Sequence, residues 1–418
     1  MGSFPSELRG DAGLPSALRR RLHRRVIVVG QLAVSFVIFV NTVLLIPASV
    51  LLLQTFACFF LRPRKMHLAD DRPPVVVLVP AHDEAAVIGE MLSCTREQLT
   101  IADRLVVVAD NCSDETEAVA KAAGVEVVVR RDESHIGKGY ALEAGVRHIA
   151  RTGPRDVIVF LDADCILDPG ALSCMARACV GRSSAIQACY VMNNPPDSDS
   201  SARVAEFAWR IRTLVRPSGL ANLGFPCHLM GSGMALPWSV TRMADLGTPH
   251  LAEDVLLGIQ LARSGVPAWF CADARITSKF PGRQKGRNSQ RRRWIHGFFA
   301  LLKGAVPGLM GDALRHRSLQ MSALAVDLMV PPLSVLLALQ TLGLFFAIAA
   351  ASIIALSVSL IGMLFLAVAI AICWYFVARD LVGWREVMAL PRHSGTVGLI
   401  VFNYLLGNVS AWTRSERD

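Results

Sequence analysis

From Val26 to Leu61 the chain is almost uninterruptedly apolar for 36 residues, whereas one helix needs only about 20 such residues to cross a bilayer. A run of that length does not belong in an ordinary soluble core, so part of this protein is expected in a membrane. Either one long kinked helix or a tight hairpin fits the length. Basic clusters stand at both ends, Arg19-Arg20-Arg21 before it and Arg62-Pro63-Arg64-Lys65 after it. The positive-inside tendency then places both ends on the cytoplasmic side. That favours a hairpin over 26–61, reversing at Asn41 or Pro47. The stretch is much too long for the apolar part of a signal peptide and lacks a small-residue cleavage site after it, so it is read as retained.

Composition points the same way, with 53% hydrophobic residues in 418, above the norm for soluble domains. A net charge of +9 invites a nucleic-acid reading. The arginines and lysines sit beside apolar runs, however, where anionic lipid headgroups are the simpler partner, and no nucleic acid is expected. The ten cysteines are scattered singly, without CxxC pairs, and are read as reduced and mostly buried rather than as a disulfide framework or zinc site.

Beyond Pro73 the pattern changes to short runs rich in Val, Ile and Leu: Val75 to Val79, Leu105 to Ala109, Val125 to Val129 and Val157 to Leu161. Helical stretches separate them. Strands of this kind are buried on both faces, which predicts an α/β domain built on a mostly parallel sheet. Ligands of such sheets bind beyond the carboxyl ends of the strands. Two more apolar stretches reach spanning length, 319–347 and 353–378, the first interrupted by Pro331-Pro332. The remainder, 379–418, mixes arginines with Trp384 and Trp412 and suits an interfacial segment. Residues 1–25 read as a basic tail, and 306–318 as an interfacial linker.

The residues that follow each strand run carry the chemistry. The fourth run leads into Asp162-Ala163-Asp164. Residues two apart on an extended chain project to the same side, so two carboxylates converge as a hard divalent cation requires. The bland alternative is a helix start, since Asp168-Pro169-Gly170 follows. The first run leads into Pro80-Ala81-His82-Asp83-Glu84 and the second into Asp110-Asn111, where acids either contact a nucleoside or cap the next helix. Gly137-Lys138-Gly139 offers one cation on a flexible turn. Glu253-Asp254 opens a helical pattern, either as a cap or as a source of general base, Asp254 being the candidate. Gln290-Arg291-Arg292-Arg293-Trp294 is either a membrane-surface patch or a donor set for a departing diphosphate.

In that order the motifs resemble the family 2 glycosyltransferases with membrane segments, the group of cellulose, chitin and hyaluronan synthases and ceramide glucosyltransferase. The resemblance covers roughly Pro73 to Trp294 and the flanking membrane layout. It implies a GT-A fold, Rossmann-like, for a cytoplasmic catalytic domain over 72–305. It also implies Mg2+ or Mn2+, a UDP-sugar donor and inversion at the anomeric carbon. Carried over residue by residue, Ala81, Asp83 or Glu84, Asp110 and Lys138 hold the nucleoside. Asp162, Ala163 and Asp164 meet the diphosphate, with Asp162 and Asp164 on the metal and Asp164 the more direct ligand. Asp254 deprotonates the acceptor, and Gln290 and Arg293 face the pyrophosphate. Gly231, Ser232, Glu253 and Trp294 face the acceptor.

Three departures bear on what is made. His82-Asp83 stands where the family often has Tyr-Asn, Ala252 replaces a common Thr, and Met230-Gly231-Ser232-Gly233 lacks the aromatic of the polysaccharide synthases. They speak against processive synthesis. The expected reaction is sugar transfer to a lipid-linked or growing glycan at the cytoplasmic face of the inner membrane, by a multi-pass protein. Single addition to a membrane lipid is the alternative, and a non-catalytic nucleotide- or polysaccharide-binding protein a third reading.

Overall fold

The computed structural model describes residues 16–388; the expectations for most of the amino-terminal tail and most of 379–418 lie outside the described residues. Eight strands form one sheet: β1 (Val75–Ala81), β2 (Arg104–Asp110), β3 (Glu126–Arg130), β4 (Val157–Phe160), β5 (Ile166–Leu167), β6 (Ile186–Asn193), β7 (Met234–Pro237) and β8 (Trp269–Lys279). Their order is β3-β2-β1-β4-β7-β6-β8-β5. The four runs read from the sequence are β1 to β4, and they pair in parallel. Beyond β4 the sheet is mixed, since β7 runs antiparallel to β4 and β6, whereas β6 and β8 are parallel.

Alternate residues of β1 feed two cores. Val75, Val77 and Val79 pack with Ile88, Met91, Leu172 and Met175 from helices Ala85–Arg96 and Ala171–Arg182. Val76 and Leu78 pack with Leu142, Ile149 and Leu257 from helices Lys138–Thr152 and Glu253–Arg263. Burial on both faces is why these strands read as continuous apolar runs. Leu78 lies opposite both Val106 and Phe160, so β1, β2 and β4 end at one rim. Ala81 at the end of β1, Asn111 after β2 and Asp162 just beyond β4 are thereby brought to the same rim.

The expected reversal at Asn41 or Pro47 is not found. Residues Ser16–Phe60 form one helix with Pro47 inside it, and the two basic flanks therefore stand at opposite ends. Asn41 makes no turn: its amide donates to the carbonyls of Val37 and Gly343, at 3.0 and 3.3 Å. The surplus length over one span is used on protein, not on a second crossing, for Ala48, Leu51, Gln54 and Thr55 are buried. Earlier residues such as Val29, Leu32 and Phe36 are exposed, as suits a lipid-facing surface.

Within 353–378, residues Ile353–Val377 form one helix. The stretch 319–347 does not form one rod. Helices Leu319–Leu328 and Leu333–Ala349 are bent by 74° at the break, where Pro331 and Pro332 supply no N–H and their rings obstruct the preceding turn. Residues 306–318, read as a linker, contain a helix, Val306–Arg315. Among the described residues two helices, Ile27–Phe60 and Ile353–Val377, are long and apolar enough to cross a membrane, and up to four segments if each bent pair counts as one.

The amino-terminal helix is bolted to the sheet domain at Gly219, where an added Cβ would collide with the Gln54 carbonyl. Gly to Ala in an open helix position gains about 1 kcal/mol, but overpacking a close crossing costs about 1–3 kcal/mol, so the clash should win. We expect Gly219→Ala to lower the melting temperature of the detergent-solubilised protein. Gly30→Ala, with nothing within 4 Å, should leave it unchanged or raise it. Equal melting of both variants would show that the crossing is looser than described.

Candidate active site

Lys138 sits at the centre of the rim, and local backbone geometry explains why. Gly137 has φ of 143°, in the region that disfavours side chains. A Cβ on Gly139 would run into the carbonyls of Leu246 and Thr248. Flanked this way, the lysine projects into the cleft, donating to Asp162 Oδ1 at 2.5 Å and to the Gly231 carbonyl at 2.9 Å. Burial works against its charge, but Asp162, Glu253 and Asp254 outweigh burial and push its pKa up, so Lys138 stays cationic.

Ligand atoms of Asp162, Asp164 and Cys165 lie within 4.8 Å of one another. Burial, ahead of the charges of Asp164 and Asp162, holds the Cys165 thiol well above its ordinary pKa. The thiol is therefore protonated, and two hard carboxylates remain as donors. Such a pair fits Mg2+ or Mn2+ better than a soft metal. The Lys138 ammonium already shows that Asp162 accepts a cation from the cleft side. Asp162 is positioned from below by its own N–H, which donates to the Ser232 hydroxyl at 3.0 Å.

One cavity of about 480 Å3 gathers most of the residues singled out by motif. Ala81, Glu84, Asp110, Lys138, Asp162, Ala163 and Asp164 line its sheet end; Gly231, Glu253 and Asp254 line its middle. Gln290, Arg293 and Trp294 come from helix Gln284–Gly304. Their spacing of three and four residues puts them on one helical face. Asp110 is tied to Arg130 at 2.6 Å, yet burial still raises its pKa. Trp294 stacks on Trp209, with ring centroids 4.7 Å apart, so its flat face is partly covered.

Two expected contacts fall elsewhere. Asp83 does not line the cavity; its carboxylate accepts from the backbone N–H of Ser113 and Asp114, at 2.6 and 3.2 Å, and braces one rim loop against another. Ser232 is completely buried under Asp162, which makes it a support for the acidic pair rather than an acceptor contact.

The acids at the start of helix Glu253–Arg263 are enclosed. Burial, reinforced by Asp254, lifts the Glu253 carboxyl from 4.5 to about 7. Asp254 is also raised by burial, against the pull of the Val255 N–H, Lys138 and Arg212. A carboxyl whose folded pKa exceeds its unfolded value binds more protons in the folded state, so stability falls as pH rises through that interval. We expect the metal-free protein to lose melting temperature between about pH 4.5 and 7, and Glu253→Gln to flatten that decline. An unchanged slope in the variant would assign the titration to another group.

Sequence reasoning missed the cavity's far end. There Leu51 of the amino-terminal helix, Arg212, Arg216, His228, Asp327, Leu333 and Leu337 continue the same lining. Asp327 accepts from Arg216 at 2.8 Å and from Gln54 at 2.7 Å. No motif marks these positions, which meet only through tertiary packing. A charged residue within the apolar run 319–347, Asp327, was the single available signal.

Comparison with known proteins gives a consistent picture. The family profile described as glycosyltransferase like family 2 matches residues 73–297, more than half of the chain. No curated protein matches. Among solved structures, a mannosyltransferase from Pyrobaculum calidifontis, in complex with GDP-mannose and Mn2+, superposes with a TM-score of 0.51 at 16% identity. That match covers 88% of this chain and 99% of the other. Glucosyl-3-phosphoglycerate synthase from Mycobacterium tuberculosis, with Mn2+, UDP and product, gives a TM-score of 0.34 at 20% identity, over 55% of this chain and 79% of its own.

Proposed function

Since the chain belongs to the glycosyltransferase family 2-like proteins, with a GT-A fold, we propose that it moves a sugar from a UDP-sugar to a lipid or lipid-linked glycan that enters from the membrane. The observation that carries this reading is one continuous cavity lined both by Asp110 and Lys138 and by Leu51, Leu333 and Leu337 of the apolar helices. Its volume suits a sugar and a headgroup. The catalytic domain lies on the cytoplasmic face of the inner membrane, anchored by more than one crossing. Arg62, Arg64 and Lys65 at the domain end of the first helix support that orientation.

In this reading Asp110, Glu84 and Lys138 hold the nucleoside end, and Asp162 and Asp164 take a divalent cation. When bound, that cation would neutralise diphosphate charge. Gln290 and Arg293 donate to the diphosphate, where preorganised donors favour the charge that builds as it leaves. The acceptor oxygen attacks the anomeric carbon from the opposite face. The carbon–oxygen bond to the diphosphate breaks, its electron pair leaves with UDP, and the acceptor proton passes to Asp254. Inversion follows from that single displacement. Gly231, Glu253 and Trp294 border the acceptor.

The Pyrobaculum neighbour, solved with GDP-mannose and Mn2+, supports a nucleotide-sugar donor with a divalent metal and makes GDP-sugars the natural competitors to UDP-sugars. The test is nucleotide release from purified protein across UDP- and GDP-sugars with membrane lipid extract, followed by mass spectrometry of the product. We expect UDP release and a lipid heavier by one sugar. A ladder of products would favour chain growth, and no release from any donor would contradict the proposal.

A further inference from the structure

Between helices Ser200–Arg210 and Arg216–Leu223 the backbone widens into a π-helical turn, Ile211–Val215. Turns of this kind interrupt the regular facing of side chains and are frequent at functional sites. Three arginines punctuate the segment and meet different fates. Arg210 donates to Glu206 at 2.7 Å and to the Val377 carbonyl at 2.8 Å. Arg216 donates to Asp327 at 2.8 Å. Arg212 has neither: its contact is with the ring of Trp209, 5.7 Å from the centroid, and it makes no hydrogen bond or ion pair among the described residues.

Arg212 lines the cavity rather than the outer surface. It is half-buried, and burial lowers its pKa. Asp254 and Asp327 line the same cavity and favour its charge, and the adjoining Ile211 packs in one core with Leu51, Leu333 and Leu337 at the apolar end. The donor diphosphate belongs beside Lys138, Asp162 and Asp164 instead. Neither Asp254 nor Asp327 bonds the guanidinium directly, so its donors are available to a ligand in the cavity. Its planar fork matches phosphate oxygens, and phosphate is the anion that membrane lipids carry.

We propose that Arg212 binds a phosphate on the headgroup of the acceptor lipid, whose chain leaves the cavity past Leu51, Leu333 and Leu337. This rests on the reading of the acceptor as a membrane lipid. It adds a requirement that the fold alone does not impose: the acceptor is anionic, and this arginine selects it.

The test uses the full chain in neutral detergent and reads the rise in melting temperature with added phosphatidic acid, diacylglycerol or inorganic phosphate. Binding to the folded state alone raises melting in proportion to affinity. We expect phosphatidic acid to be the effective ligand. Arg212→Gln should weaken it roughly 10- to 100-fold, the loss expected for hydrogen bonds to a charged group, and Arg212→Lys should restore part of it. UDP affinity with Mn2+ should not change in either variant.

Equal effects of diacylglycerol and phosphatidic acid would overturn the proposal, as would an unchanged response in Arg212→Gln. Inorganic phosphate as effective as the lipid would move the site to free phosphate. A fall in UDP affinity would give Arg212 to the donor. Failure of the underlying reading looks different: sugar transferred only to a water-soluble acceptor, with the phosphatidic acid response intact, removes the acceptor role and leaves the lipid-phosphate site standing.

Discussion

Asp254→Asn is expected to lower sugar transfer by roughly 100- to 10,000-fold, the usual contribution of a positioned general base, while UDP affinity stays nearly intact. The expectation comes from where the carboxylate sits. It lines the same cavity as Asp162 and Asp164, the acidic pair proposed to face the diphosphate. Burial raises its pKa, which strengthens it as a proton acceptor. Asn keeps the size and the contact with the Val255 N–H but cannot take the proton. Single-turnover transfer and UDP titration on the same preparation separate the two effects. Loss of UDP binding in parallel with transfer would place Asp254 in the donor site.

The second large effect is expected from Asp164→Asn, which should abolish the Mn2+ dependence of UDP binding. One hard oxygen is lost from a two-carboxylate set, and the diphosphate charge is left undercompensated. Asp162 cannot make up the difference, because its Oδ1 already accepts from Lys138 at 2.5 Å. Chelation of the wild-type protein with EDTA should reproduce the variant. Calorimetric titration of UDP with and without Mn2+ reads this directly, and equal metal dependence in variant and wild type would take Asp164 out of the site.

The sequence made the site more legible than the scaffold around it. Asp110, Asp162 and Asp254 are far apart in the chain, yet each follows a strand or opens a helix whose pattern is plain, and the parallel register delivers the first two to one rim. Strands β5 to β8 were hidden for physical reasons. β5 has two residues, and in β8 the buried pair Phe270-Cys271 is followed by the exposed pair Ala272-Asp273, which breaks the alternation, so neither shows a clean period throughout. The hairpin at Asn41 or Pro47 was misread because apolar length alone does not say whether the surplus faces lipid or packs on the catalytic domain. Leu51, which packs with Val204 and Phe207, and Gln54, which abuts Gly219, do the latter. Arg212 was invisible since its isolation arises from neighbours in space, not in sequence.

Asp162 and Asp164 are proposed to form the cation site of a cavity that reaches the apolar helices. A second cluster, Asp83, Cys112 and Asp114, also meets the distance requirement for a metal, although Asp83 and Asp114 are engaged by backbone N–H groups of Ser113 and Thr116. Anomalous diffraction at the manganese edge, from crystals grown with UDP and Mn2+, tells them apart. One manganese peak is expected beside Asp162 and Asp164, with UDP next to it. A peak at Asp83 and Asp114 with UDP bound elsewhere, or bound UDP without any peak, would contradict it.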